Sequence, residues 1–475
     1  MSLYFGGLDL LSEKMQAKIL FDYTGSFSDE RLDARCKFIA EKMLNRRSSV
    51  IHQFCKGNKE TTAARRFFNN QNISLSDQIN GLTKRMSSLK AQKVLLIEDG
   101  SELNYTSKQG RIQTGSLGPI TSKWCTGFFV HPCLVVDAIK NIPLGFSAVE
   151  MWKRDESCGN KKERTYEKLP IEKKESWKWI ECIQKSKEVL PYPVHKIVVA
   201  DREADIYKVY TLLKDETTDL LIRARADRKI RGNETVSSFL KQQPVNKVVS
   251  MLVKTDKKDG RSKHKASLEI KYGHIEIKKP KTASNRGEQD YFSLYVVEIK
   301  EKKNTIKKGE SPVHWIILTT LEVTSNKKAE SVLKYYAKRW LIEELFAILK
   351  TRGLNLENSQ LTSGEALMKL AVVAMDVGLK ILQLTKGRED EESKAEVIFT
   401  KEEIGLISLL VPEYEGNTEK QKNPYRSNSL AWAAWLIGRL GGWMGYKTES
   451  PPGNKTMAIG LERFFTMFIV YKLKR

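Results

Sequence analysis

Two hydrophobic rhythms alternate along this chain. Short apolar runs such as KVLLIED at 93–99, HKIVVAD at 195–201, DLLIRARA at 219–226 and WIILTT at 315–320 predict buried strands. Residues 124–152 predict two long strands joined by a turn near Asn141 to Pro143. In contrast, apolar positions at Leu333, Ala337, Trp340, Leu341, Leu345, Ile348 and Leu349 recur close to the helical period. They predict one helix over 331–353 with a single buried stripe. Pro is absent there, the only Gly ends the stretch, and good helix formers fill its interior. Further helices are expected near 29–44, 59–69, 176–188, 202–214 and 364–384, and through 400–475. Between 227 and 312 the chain becomes Lys-rich and alternating, as in ASLEIKYGHIEIKK and YFSLYVVEIKEK, which predicts an antiparallel insertion. Residues 153–176 form a charged segment, and the acidic GREDEESKAE is expected to be a linker.

Beside the stripe of the 331–353 helix runs a polar row. Tyr336, Arg339, Glu343 and Lys350 sit at offsets of three, seven and fourteen, which at about 100° per residue keeps them in a narrow arc. A phenol, a guanidinium, a carboxylate and an ammonium in one line suit a phosphodiester: the cations grip phosphate oxygens, and the Glu needs a metal or those cations beside it. An ordinary solvated face with Glu and Lys pairs explains the same row.

Charge favours the first reading. Lys and Arg number 81 against 58 Asp and Glu, a formal charge of +23, so a polyanion is the expected partner. No apolar run reaches about eighteen residues, and the opening MSLYFGGLDLLSEKM lacks a basic leader region, so an intracellular, cytoplasmic protein is expected. Arg35, Arg46, Arg47, Arg65 and Arg66, with Phe67 and Phe68, spread through a helical first 75 residues. Such a unit suits duplex contact, though a plain pair of surface helices would also carry it. Cys36, Cys55, Cys125, Cys133, Cys158 and Cys182 form no CxxC pair and read as buried or idle thiols. His131 and His314 have no second ligand at metal spacing and read as core or surface histidines.

Three acids stand at comparable places: Asp99 and Asp201 end strands, and Glu343 lies on the helix. A lone acid after a strand is often only a cap or turn residue, and Asp201 could be one. Three carboxylates without nearby His or Cys suit Mg²⁺ or Mn²⁺. Two such ions about 4 Å apart can hold the attacking and leaving oxygens of an in-line phosphoryl displacement.

The Tyr-x2-Arg-x3-Glu-x6-Lys helix, ADREADIY at 200–207 and LLIEDGSELNY at 95–105 resemble the insertion-sequence transposases of the IS-four group. DERLDAR near the start, AARRFF at 63–68, HWIILTT and SLAWAAWLIGRLGGWM extend the resemblance over nearly the whole chain. It implies an α/β fold: a ribonuclease-H-like catalytic core, a mixed sheet flanked by helices, at 76–395, with the β-rich insertion inside it. A helical DNA-binding domain at 1–75 and a helical dimerisation domain at 396–475 complete the expected layout. It further implies a bacterial, nucleoid-associated enzyme with Asp99, Asp201 and Glu343 as catalytic metal ligands for two Mg²⁺ ions, Mn²⁺ substituting. Such enzymes cut the transposon end, form and reopen a hairpin, and join the end to target DNA, as a homodimer on paired ends. Tyr336, Arg339 and Lys350 are implied as phosphate contacts, and Arg223 and Arg225 as contacts to the end sequence. Arg35 and Arg66 are expected DNA contacts of the N-terminal unit. Trp315 is either a stacking plate for a flipped base or a strand-core Trp. In the tail, Trp432, Leu436, Leu440 and Trp443 form an apolar face, either a dimer contact or packing within its own domain. Glu98 and Glu344 are decoy carboxylates beside Asp99 and Glu343, and Asn69 replaces a basic residue of the family pattern. A nuclease that cuts without joining, or a non-catalytic DNA-binding relative, remains the alternative.

Overall fold

The computed structural model describes residues 21–122, 124–155, 169–253, 255, 260–281, 287–446 and 449–473. The opening stretch, Cys158 and the middle of the charged segment therefore lie outside the described residues. In chain order the elements are α1 (Glu30–Arg46), α2 (Ile51–Phe54), α3 (Gly57–Asn69), α4 (Leu75–Thr83), β1 (Lys93–Glu98), β2 (Ser101–Asn104), β3 (Gly118–Pro119), β4 (Thr126–Asp137) and β5 (Pro143–Trp152). Next come α5 (Lys178–Val189), β6 (His195–Ala200), α6 (Tyr207–Leu213), β7 (Thr218–Arg223), α7 (Val236–Gln242), β8 (Lys247–Val253), β9 (His264–Lys278), β10 (Tyr291–Glu301) and β11 (His314–Thr319). The chain closes with α8 (Asn326–Ala337), α9 (Trp340–Ala347), α10 (Gly364–Lys386), α11 (Lys401–Tyr414), α12 (Leu430–Leu440) and α13 (Asn454–Leu473).

One mixed sheet organises these elements. β4 pairs antiparallel with β5 and with β1, β1 runs parallel to β6, and β6 parallel to β7. β11 then pairs antiparallel with both β7 and β10, so the Lys-rich insertion of β8, β9 and β10 continues the same sheet. Side-chain alternation sorts the central strands onto two faces. Leu95, Ile97, Ile197 and Val199 face the larger core with α1, α8, α9 and the C-terminal helices, while Val94, Leu96 and Val198 face α5 and α6.

α10 is buried on almost every side because it is apolar all round, touching α1, α3, α4, α9, α12, α13 and β5. Its one buried acid, Asp376, is matched from the N-terminal region: Arg85 gives it two bonds of 2.8 and 2.9 Å and Tyr23 Oη a third of 2.9 Å. Ser49 donates to the carbonyl of Leu354 through both its N–H and its hydroxyl, a second tie from the N-terminal helices.

Two expected elements differ, and one open alternative is decided. The 331–353 helix is two helices with a tightened turn at Lys338 and Arg339, where i→i+3 bonds replace the helical ladder, and a π turn over Ile348–Arg352. The acidic 387–396 stretch is docked, since Ala395 N–H bonds Asn428 O and Leu430 N–H bonds Ser393 O. The apolar face of the tail is occupied within the chain: Trp432, Leu436 and Leu440 are at most 5% exposed among α10, α11 and α13, with Trp443 packed against them. Of the two readings of that face, packing within the chain is the one the burial supports. Among the described residues no helix is long and apolar enough to cross a membrane.

Candidate active site

β1 and β6 are parallel neighbours with Ile97 opposite Val199. Two residues further on, Asp99 and Asp201 leave the same end of the sheet side by side, on strands about 4.8 Å apart. Both continue the alternation of Leu95, Ile97, Ile197 and Val199, whose face α8 and α9 cover. The first turn of α9 brings Glu343 to that place.

Arg339 binds the acids into one group. Its guanidinium donates to Asp99 Oδ2 at 2.8 Å through Nη1 and to Glu343 Oε1 at 2.5 Å through Nη2. The tightened turn between the helices aims it there. Tyr336 Oη donates to Asp201 Oδ1 at 3.2 Å, and Arg223 Nη1 stands 4.0 Å from the same oxygen. Tyr336 is itself buried, held edge-on against Trp315 with ring centres 5.1 Å apart. It is thus an internal donor to Asp201 rather than part of an open polar row.

Burial raises the Asp99 carboxyl; Arg339 and the Gly100 N–H pull it down, Asp201 and Glu343 push it up, and the result is about 6. The Arg339 guanidinium is desolvated but held above its usual range by Tyr336 and the three acids. The acid side chains keep 25%, 32% and 33% of their surface open for Asp99, Asp201 and Glu343, so ligands can reach them. Among the described residues they do not gather within 4.8 Å of one another; a guanidinium stands between two of them. A set of hard carboxylate oxygens, partly open and already drawing a cation, fits a divalent ion of the Mg²⁺ type.

Lys350, carried off the helical arc by the π turn, pairs with Glu357 at 3.8 Å. Glu357 also accepts the N–H of Asn104 at 2.9 Å, a partner that helix periodicity could not reveal. Arg223 donates to the His314 carbonyl at 3.2 Å, and Arg225 is exposed, its N–H bonded to Asp205. Trp315 is half-buried. Arg35 and Arg66 line an open groove of about 680 Å³ between α1 and α3, with Arg31 and Lys59. Away from the acids, the Glu344 carboxylate meets Lys386 of α10 at 2.6 Å.

Glu98 lies on the opposite face of β1. Its Oε2 is 2.9 Å from His131 Nε2, and both side chains are fully enclosed with Cys182 of α5 close by. Spacing along the chain hid this group, because its members come from β1, β4 and α5.

Residues 24–73 match the transposase DNA-binding family and residues 173–375 the transposase DDE domain family. Asp201 and Glu343 fall inside the second match, and Asp99 precedes it. Among solved structures, a cryo-EM structure of the piggyBac transposase synaptic complex with hairpin DNA matches with 10% identity and a TM-score of 0.33. That match takes in 82% of this chain and 55% of the other. DDE domains of transposases use divalent metal ions. The chain thus carries a region of the transposase DNA-binding family followed by a region of the transposase DDE domain family.

Proposed function

We propose that this protein excises and inserts a DNA element by cut-and-paste transposition, with Asp99, Asp201 and Glu343 as its catalytic acids. The supporting observation is the Arg339 bridge: one guanidinium joins Asp99 at a strand end to Glu343 on a helix, beside Asp201 with its Tyr336 donor. Carboxylates from three elements converge in a half-open place within a chain of charge +23. The three acids would hold two Mg²⁺ ions, Mn²⁺ substituting, and these would supply Lewis acidity toward a water or 3′-hydroxyl and toward the leaving oxygen.

The chain's own groups do the rest. Arg339 balances Asp99 and Glu343 before the ligand arrives, which limits mutual repulsion among the acids, and then turns its donors to a phosphate. Lys350 and Arg223 add positive charge along the backbone of the DNA, and Tyr336 keeps Asp201 oriented through its hydroxyl. Trp315 presents a half-buried ring beside Tyr336 on which an unstacked base can rest. Arg35, Arg66 and Arg225 contact the duplex of the terminal repeat.

By resemblance the enzyme belongs to the IS-four group, is similar to the transposase of transposon five, and passes through a hairpin at the freed end. Residues 1–75 then form the end-binding domain, 76–395 the ribonuclease-H-like core and 396–475 the dimerisation domain of a bacterial, nucleoid-associated homodimer. With the Trp432 face occupied, the dimer contact falls to the exposed apolar end of α13, where Ile469, Val470 and Leu473 are 39%, 51% and 82% exposed.

The test is cleavage of a labelled duplex carrying the inverted repeat that flanks the gene, with Mg²⁺ or EDTA. Wild type should give metal-dependent hairpin or joined product, and Glu343→Gln should bind the duplex equally but lose at least about 10³-fold in rate. Cutting without hairpin or joining would replace this reading by a nuclease, and unchanged nicking by Glu343→Gln would remove Glu343 from the site.

A further inference from the structure

The enclosed group behind Asp99 is not used by the chemistry above. We infer that Glu98, His131 and Cys182, with Cys133, form a structural zinc site that clamps β1 to β4 and α5 behind the catalytic strand end.

The donors are of the right kinds, and three of the four are already assembled. One carboxylate oxygen, one imidazole nitrogen and the Cys182 sulfur lie within 4.8 Å of one another. Ligand atoms about 2.0–2.3 Å from a tetrahedral Zn²⁺ stand roughly 3.3–3.8 Å apart, so small side-chain movements suffice. Cys133 is the residue placed to supply the fourth corner: it is the cross-strand partner of Glu98 and shares a buried layer with Cys182, although its sulfur lies outside the 4.8 Å group and must swing inward to complete it. It also shares its strand face with His131, two residues before it. Glu98, His131, Cys133 and Cys182 are all at most 1% exposed, which is the closed surrounding of a structural rather than a catalytic zinc.

A second observation points to a ligand. Besides the single Glu98–His131 hydrogen bond, Glu98 Oε1 and His131 Nδ1 are buried with no hydrogen-bond partner. Two unsatisfied polar atoms in an enclosed place are costly, and coordination removes part of that cost. Charge also balances. Zn²⁺ with two thiolates and one carboxylate carries one negative charge, and the Lys178 ammonium acts on both Glu98 and His131. A mixed sulfur, nitrogen and oxygen set selects zinc over Mg²⁺, so this site and the carboxylate site do not compete for one ion.

The experiment is metal analysis of the full-length protein after dialysis against Mg²⁺ and EDTA, comparing wild type, Asp201→Ala, Cys182→Ser and His131→Gln. Wild type and Asp201→Ala should each keep about one zinc per chain, and the other two should lose most of it. Asp201→Ala separates this site from the acids, so failure of either reading shows independently. Cobalt added to the zinc-depleted protein should give a thiolate-to-cobalt absorption that Cys182→Ser lacks, with circular dichroism confirming that the variant is folded. Folded wild type that takes up neither zinc nor cobalt to stoichiometry, or zinc retained in both site variants, overturns the assignment.

Discussion

Lowering the pH from about 7.5 to about 5 should weaken divalent-metal binding at the acid site about tenfold. Asp99 titrates at about 6, raised first by burial and lowered most by Arg339. A carboxyl raised in this way keeps its proton below pH 6, and a metal takes only the ionised form. Apparent affinity therefore falls by the factor 1 + 10^(6 − pH), about 1.03 at pH 7.5 and about 11 at pH 5. Titrating Mn²⁺ into the DNA-free protein and reading free ion by electron paramagnetic resonance gives the affinity directly. Arg339→Gln sharpens the test. It removes the group that lowers Asp99 most, so the inflection moves up in pH, and it also removes a cation that stands between Asp99 and Glu343. Binding should then be tighter than wild type at pH 8 and lose its advantage near pH 6. An affinity that changes less than about twofold between pH 7.5 and pH 5, or an Arg339→Gln inflection at or below that of wild type, would refute this account of Asp99.

Asp376→Ala should cost about 3–5 kcal/mol in urea unfolding, because Arg85 is left buried without its counter-ion, and pairing Asp376→Leu with Arg85→Met should recover most of it; a loss under about 1 kcal/mol would show the pair to be idle. Tyr336→Phe keeps the ring on Trp315 but loses the donor to Asp201, so single-turnover cleavage should fall about tenfold while stability changes by about 1 kcal/mol or less. Arg66→Ala should reduce the slope of log affinity against log salt by about one unit for any duplex, read by fluorescence anisotropy. Gly460→Ala should destabilise by about 1–3 kcal/mol, since a Cβ there meets the Ile437 carbonyl where α13 crosses α12; an unchanged melting curve would mean the crossing adjusts freely.

Runs with one strong period were legible in the sequence. The strands ending at Asp99 and Asp201 and the helix over 364–384 stand where their patterns put them, because burial on one or both faces writes directly into residue spacing. The meeting of Asp99 with Glu343 was not legible from spacing, since it depends on sheet order and on a turn at Lys338 and Arg339. No Pro or Gly marks that turn; tertiary contacts of Arg339 and Tyr336 decide it, and propensity gives way. The same limit applies to the tail. Trp432, Leu436 and Leu440 fit a dimer contact as well as internal packing because the chain alone cannot say that α10 and α13 arrive to cover them.

The strand end at Glu98 and Asp99 joins these observations. Adjacent residues of a strand point to opposite faces, so one acid pair must split. Asp99 meets a guanidinium at a half-open edge, and Glu98 meets His131 in an enclosed layer. The two carboxylates thus answer to different chemistry although their spacing in sequence is one residue. Holding Glu98 rigidly from behind fixes the peptide from which Asp99 projects, and an active acid needs that firmness because a misplacement of about 1 Å can cost on the order of 10²-fold in rate. A variant that loosens the enclosed layer should therefore slow cleavage without touching DNA affinity, whereas one at Arg66 should do the reverse.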